Sequence, residues 1–291
     1  MSGTGPQSRG QRPAEGSVLP GWRWWSLAVL VALAVVVLLV AQPWSSQSEP
    51  PLPTASTSSS APQETPSAPP STPAPTPSTS VGPPGADAVF DTATMGRLFL
   101  VRADLATALP DEAQDLQPGI REGELPWGLP EGSTVSPQEC TAAVTVVTEP
   151  PVAFDARSWS DDRVDVRQSV VLLPDGPAAR SAFRTLVTTV DGCPTYRQVN
   201  PGTDGARWTA EPALEGQGVY PSIVQEIVHH AEGVTAPGYR GHMLVGNAIV
   251  SWDAEAPEAA DAAEARGVLG EVSDLASVVQ DRARTAVGSL G

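Results

Sequence analysis

Apolar positions fall along this chain in three regimes. From Trp24 to Ala41 they are continuous: WWSLAVLVALAVVVLLVA, eighteen residues without a charge, a glycine or a proline. As a helix this run would span roughly 27 Å, about one bilayer core. From 42 to 86 no apolar period exists. From 87 onward apolar residues return at helix and strand spacings, over a stretch long enough to bury about 70% of its unfolded surface in one core.

Within 87–291 the pattern predicts an order of elements. Ala93–Leu109 reads as a helix with a break near Val101, stopped by Pro110. Ser136, Pro137, Gln138 and Glu139 form a capping-box sequence that opens a helix carrying Cys140. Val164–Leu173 is β-branched and partly alternating, hence a strand. Pro177–Asp191 is a helix closed by Gly192, with Cys193 next. Three strand-like runs follow: Ala206–Glu211, Ser222–Ala231 and Tyr239–Trp252. A turn over Glu232–Gly238 makes the last two an antiparallel hairpin. Pro257–Val287 reads as one long amphipathic helix, with Val268, Val272, Leu275, Val279, Ala283 and Ala286 on its apolar stripe. The expected fold class is α+β: a central, mainly antiparallel sheet with packed helices.

Charge fixes how the long apolar run is read. Arg9, Arg12 and Arg23 precede it, and the next basic residue is Arg97. The positive-inside rule then puts the N-terminus in the cytoplasm and everything after 41 outside. Trp22, Trp24 and Trp25 at one end and Trp44 at the other suit a membrane interface. A cleaved signal is the alternative. Its apolar run would be about 7–15 residues, and Leu39 stands where cleavage after Ala41 needs a small side chain.

Residues 42–86 hold thirteen prolines and seventeen Ser/Thr in forty-five positions. Too little apolar surface is available there to offset chain entropy. The segment reads as a disordered stalk, either O-glycosylated or bare, that gives the rest of the chain reach. The expected organisation is a cytoplasmic tail at 1–23, a transmembrane helix at 24–41, the stalk at 42–86 and an extracytoplasmic domain at 87–291.

Composition removes several functions. All seventeen basic residues are arginine, so Schiff-base lysine chemistry and a phosphate-loop lysine are absent. A formal charge of −16 argues against a nucleic-acid partner. No GxSxG, SxxK, HExxH, GxGxxG or Walker sequence occurs. No catalytic residue, cofactor or metal site is therefore assigned.

In an oxidising exterior the two cysteines, Cys140 and Cys193, are expected to pair, which silences either as a nucleophile. His229, His230 and His242 flank the predicted hairpin turn. With that turn centred near 236, His230 and His242 become cross-strand neighbours close to Glu232, a set able to bind zinc or sense pH. Ordinary half-exposed strand histidines are the plainer reading. Trp208 and Tyr220 lie on or beside loops rich in glycine (Gly202, Gly205, Gly216, Gly218), where aromatics line a glycan or lipid groove or simply join the core. Trp208, Tyr220, His230 and His242 are the candidate ligand residues. The carboxylate pairs Asp161/Asp162 and Glu122/Glu124 read as solvated loop charges rather than a glycosidase pair.

Three strings carry a resemblance: LFLVRADLATALP at 98–110, PQECTAAV at 137–144 and VRQSVVLLPDGPAARSAFRTLVTTVDGCP at 166–194. They are similar to the PknH-like extracellular sensor-domain family of actinobacteria, over roughly residues 93–287. The resemblance implies a central antiparallel sheet with helices against it and a ligand-binding cleft. The chain departs from the family's receptor kinases in having no kinase domain, and from some members in having one cysteine pair rather than two. The expectation is a single-pass envelope protein whose outer domain binds a ligand or a protein partner without catalysis. An envelope assembly factor and an enzyme acting on envelope glycans or lipids are the alternatives.

Overall fold

The computed structural model of the chain describes residues 85–203 and 205–291. The tail, the apolar run with its flanking tryptophans, and the stalk up to residue 84 lie outside the described residues. Among the described residues no helix is long and apolar enough to cross a membrane.

Among the described residues ten strands form one antiparallel sheet. They are β1 (Gln117–Pro118), β2 (Thr134–Ser136), β3 (Ala153–Ser160), β4 (Asp165–Leu172), β5 (Thr195–Val199), β6 (Arg207–Ala210), β7 (Leu214–Glu215), β8 (Ser222–Ala231), β9 (Val234–Val245) and β10 (Ala248–Glu255). Their spatial order is β1-β3-β4-β10-β9-β8-β6-β5-β2, with β7 also paired to β8. The central strands β4, β10 and β9 are apolar toward both sides because both faces are covered.

Five α-helices among the described residues supply the cover: α1 (Arg102–Ala108), α2 (Thr141–Thr145), α3 (Gly176–Gly192), α4 (Ala262–Leu269) and α5 (Val272–Gly288). On one face Leu105 of α1, Leu269 of α4 and Leu275, Val279, Ala283 and Ala286 of α5 pack with Val170, Met243, Val250 and Trp252. On the other face Ala142 and Ala143 of α2 and Ala179, Phe183, Leu186 and Val190 of α3 pack with Val171, Ile223, Ile227, Leu244 and Ile249. Helix α3 starts where it does because the Asp175 side chain accepts from Ala178 N, with proline in the first turn. Asp261 caps α4 in the same way.

The fold class follows the sequence expectation, while several boundaries differ. The break expected near Val101 separates a 3-10 turn, Met95–Leu98, from α1. Between them Leu100 turns inward, its N–H donating to the buried Gln168 side chain. Ser136 caps nothing: it is paired to Arg197 in the sheet, and the helix begins only after a 3-10 turn at Gln138–Cys140. The run Tyr239–Trp252 is two strands joined at Gly246-Asn247, where Gly246 has a φ of 59°. The Asn247 side chain ties Phe90 and Leu173 together there. The hairpin turn between β8 and β9 is only Glu232-Gly233, both at positive φ (51° and 82°), the conformation tight hairpins favour. Gly270, at φ 73°, divides the predicted long helix into α4 and α5.

Candidate functional site

A groove of about 500 Å³ runs between α5 and the β7–β8 strands. Leu214, Val224, Val272 and Ala276 give it apolar surface, and Ser222, Ser273, Ser277 and Gln280 are polar groups along it. Two glycines let the 216–220 loop lie this close. A Cβ on Gly216 would overlap the Ser222 hydroxyl, and one on Gly218 would overlap the Gln280 amide. Gln280 is buried and holds the loop by both ends of its amide. Its Oε1 accepts from Tyr220 N at 3.2 Å, and its Nε2 donates to Tyr220 O at 3.0 Å. Three charged residues line the groove: Asp281 and Arg284 pair across 2.6 Å, and Glu215 of β7 is exposed.

On the opposite face lies a packed polar and aromatic cluster. Arg240 is buried in β9. It donates to Asp253 Oδ1 at 2.5 Å, to the Tyr196 hydroxyl at 2.6 Å and to Ala143 O at 3.1 Å. Tyr196, Trp208 and His229 are cross-strand neighbours whose rings stack at 5.3 and 5.2 Å. His229 Nδ1 meets Glu255 Oε2 at 3.0 Å. Burial pushes the Asp253 carboxyl up, but the Arg240 guanidinium outweighs it and leaves the group below the usual carboxylate range. Burial raises Asp165 nearby, the adjoining Glu255 and Asp253 charges adding to the effect. These contacts rigidify the face.

The four candidate ligand residues do not converge. Trp208 is buried inside the ring stack, and Tyr220 is buried beside the groove, behind the loop that Gln280 holds. His230 and His242 are not neighbours, because the short turn shifts the register: His230 lies opposite Thr235, and His242 opposite Ile223 and Ser251. Side-chain alternation puts them on opposite faces. His242 is fully internal, its Nδ1 at 2.8 Å from Ser251 Oγ. Among the described residues no group of three His, Cys, Asp or Glu side chains could hold a metal ion.

Cys140 and Cys193 form a disulfide linking the start of α2 to the end of α3. The carboxylate pairs support loops: Asp161 accepts from the N–H groups of Arg163 and Val164, Glu124 from Arg121 N, and Glu122 pairs with Arg157. The sequence reading missed Arg240 and Gln280. An arginine inside the apolar run of β9 was the available signal for the first; nothing local marks the second.

No curated protein sequence matches the chain. The extracellular domain of PknH from Mycobacterium tuberculosis is similar at 17% identity, with a TM-score of 0.48 over 68% of this chain and 97% of that one. An uncharacterised Mycobacterium smegmatis protein, the Rv0999 ortholog, matches at 15% identity and a TM-score of 0.35 over 62% of this chain and 95% of that one. The sequence model of the PknH-like extracellular domain matches residues 91–274, from the 3-10 turn before α1 into the first turn of α5, and the chain belongs to that family.

Proposed function

We propose that the chain is a single-pass, N-in envelope protein whose outer domain is a non-catalytic sensor that takes a small amphiphilic ligand in the groove between α5 and β7–β8. The carrying observation is the groove itself. Its volume of about 500 Å³ falls in the range of small-molecule sites, and its apolar floor with a few polar groups is the usual make-up of such sites. Family membership and the arginines that precede the apolar run support the placement outside the membrane.

Native mass spectrometry of the full chain, extracted from its own membranes, tests this. The expected result is a non-covalent small-molecule adduct that is lost in Ser277→Trp, which fills the groove from an exposed helix position. An adduct that persists in Ser277→Trp, or no adduct, overturns the reading. A protein retained in fixed ratio would support the second reading, an assembly factor, which the exposed Leu214 (66%) and Val219 (38%) at the groove's rim favour.

A further inference from the structure

On the helix-free part of the α5 face, one line of cross-strand neighbours reads Ser136, Arg197, Arg207, His230, Thr235 across β2, β5, β6, β8 and β9. Directly opposed residues share a sheet face, so the two guanidinium groups and the imidazole stand side by side. Like charges placed opposite each other destabilise a strand pair. Here one such pair, Arg197 opposite Arg207, stands in a domain whose overall charge is strongly negative. Among the described residues neither Arg197 nor Arg207 has a carboxylate within ion-pair distance; six of the other described arginines (Arg157, Arg163, Arg240, Arg266, Arg282 and Arg284) do, and six do not.

Arg197, Arg207, His230 and Thr235 of this row line a cavity of about 410 Å³ at the β8–β9 turn. His230 Nδ1 is held by Thr235 Oγ1 at 3.0 Å, which fixes the ring and leaves Nε2 as its remaining polar atom. Among the described lining residues the acid is Glu232, exposed on the turn. Two guanidinium forks and an imidazole nitrogen present donors from three adjacent strands. Such a set suits a tetrahedral oxyanion, and charge-assisted forks are the strongest donors for it.

We propose that Arg197, Arg207 and His230 form a binding site for a phosphate group carried on a small soluble molecule. The chain's net charge of −16 opposes approach to an anionic lipid surface, which is why the soluble source is assigned. This site is separate from the α5 groove and stands whether or not that groove takes a ligand.

Calorimetric titration of the full chain in neutral detergent with inorganic phosphate at low salt is the test. Saturable binding is expected, weakened at least about tenfold in Arg197→Gln/Arg207→Gln and weakened by added salt. The control Arg180→Gln/Arg184→Gln removes the same charge from the exposed side of α3 and is expected to bind as the parent does. Unchanged thermal unfolding keeps a loss of binding from being a loss of fold. The proposal is overturned by no saturable binding, by equal loss in both double variants, or by binding to phosphatidylglycerol vesicles without binding to phosphate.

Discussion

Gly241 in β9 lies directly opposite Trp252 in β10, and the indole ring occupies the space that a Cβ on Gly241 would need. Trp252 is 1% exposed and packs with Val224, Met243 and Val250 under α5. The ring has nowhere to go, so Gly241→Ala must overpack the sheet centre. A loss of about 1–3 kcal/mol is expected, or about 2–4 °C in Tm for each kcal/mol in a domain of this size. Gly192→Ala is the matched control: no atom lies within 4 Å of its added Cβ, and no melting change or a slight rise is expected. Equal losses in both variants would refute the packing argument.

The Cys140–Cys193 bond closes a loop with a sequence separation of 53 that contains α2, β3, β4 and α3. In the chain-entropy description such a closure stabilises by about 4 kcal/mol. Cys140→Ser/Cys193→Ser is therefore expected to shift the urea midpoint down while leaving the native circular dichroism unchanged. Alkylation of both cysteines in the untreated native protein would contradict the bond.

These two features were legible in the sequence to different degrees. The disulfide followed from two cysteines and an exterior compartment. The Gly241–Trp252 pairing did not, because register depends on turn length. Glu232-Gly233 makes a two-residue turn, whereas the polar stretch through Gly238 reads as a longer one; that difference moved His242 away from His230. Strand β3 was passed over because its residues, AFDARSWS, are half polar and owe their pairing to β4 rather than to local preference. The α5 groove arises from a contact between residues about 60 apart, Tyr220 and Gln280, which no local pattern encodes.

That contact has its own consequence. Gln280→Leu keeps the side-chain volume but leaves the buried N–H and C=O of Tyr220 without partners, at a cost of about 1–3 kcal/mol. The damage should be local first. Hydrogen exchange is expected to speed up at 216–222 before it does in β4 or β10. Uniform acceleration across the sheet would mean that Gln280 supports the core rather than the groove loop.

His242 makes stability depend on pH. Burial is the main cause of its low pKa, with the Arg240 charge adding to it and the Asp253 carboxylate opposing, and the result lies at about 3 rather than the ordinary 6.5. The folded state therefore keeps the ring neutral where the unfolded chain takes up a proton. Full stability holds above 6.5; it falls as pH drops from 6.5 toward 3, at up to about 1.4 kcal/mol per pH unit from this one group. Asp253, with a depressed pKa of its own, adds a loss only below its ordinary 3.8, so the two are separable by range. His242→Gln can still meet Ser251 and does not titrate. Urea unfolding at a series of pH values should show the parent weakening between 6 and 4 and the variant nearly flat there. A parent curve that is already flat over that range would show that the ring accepts its proton in the folded protein.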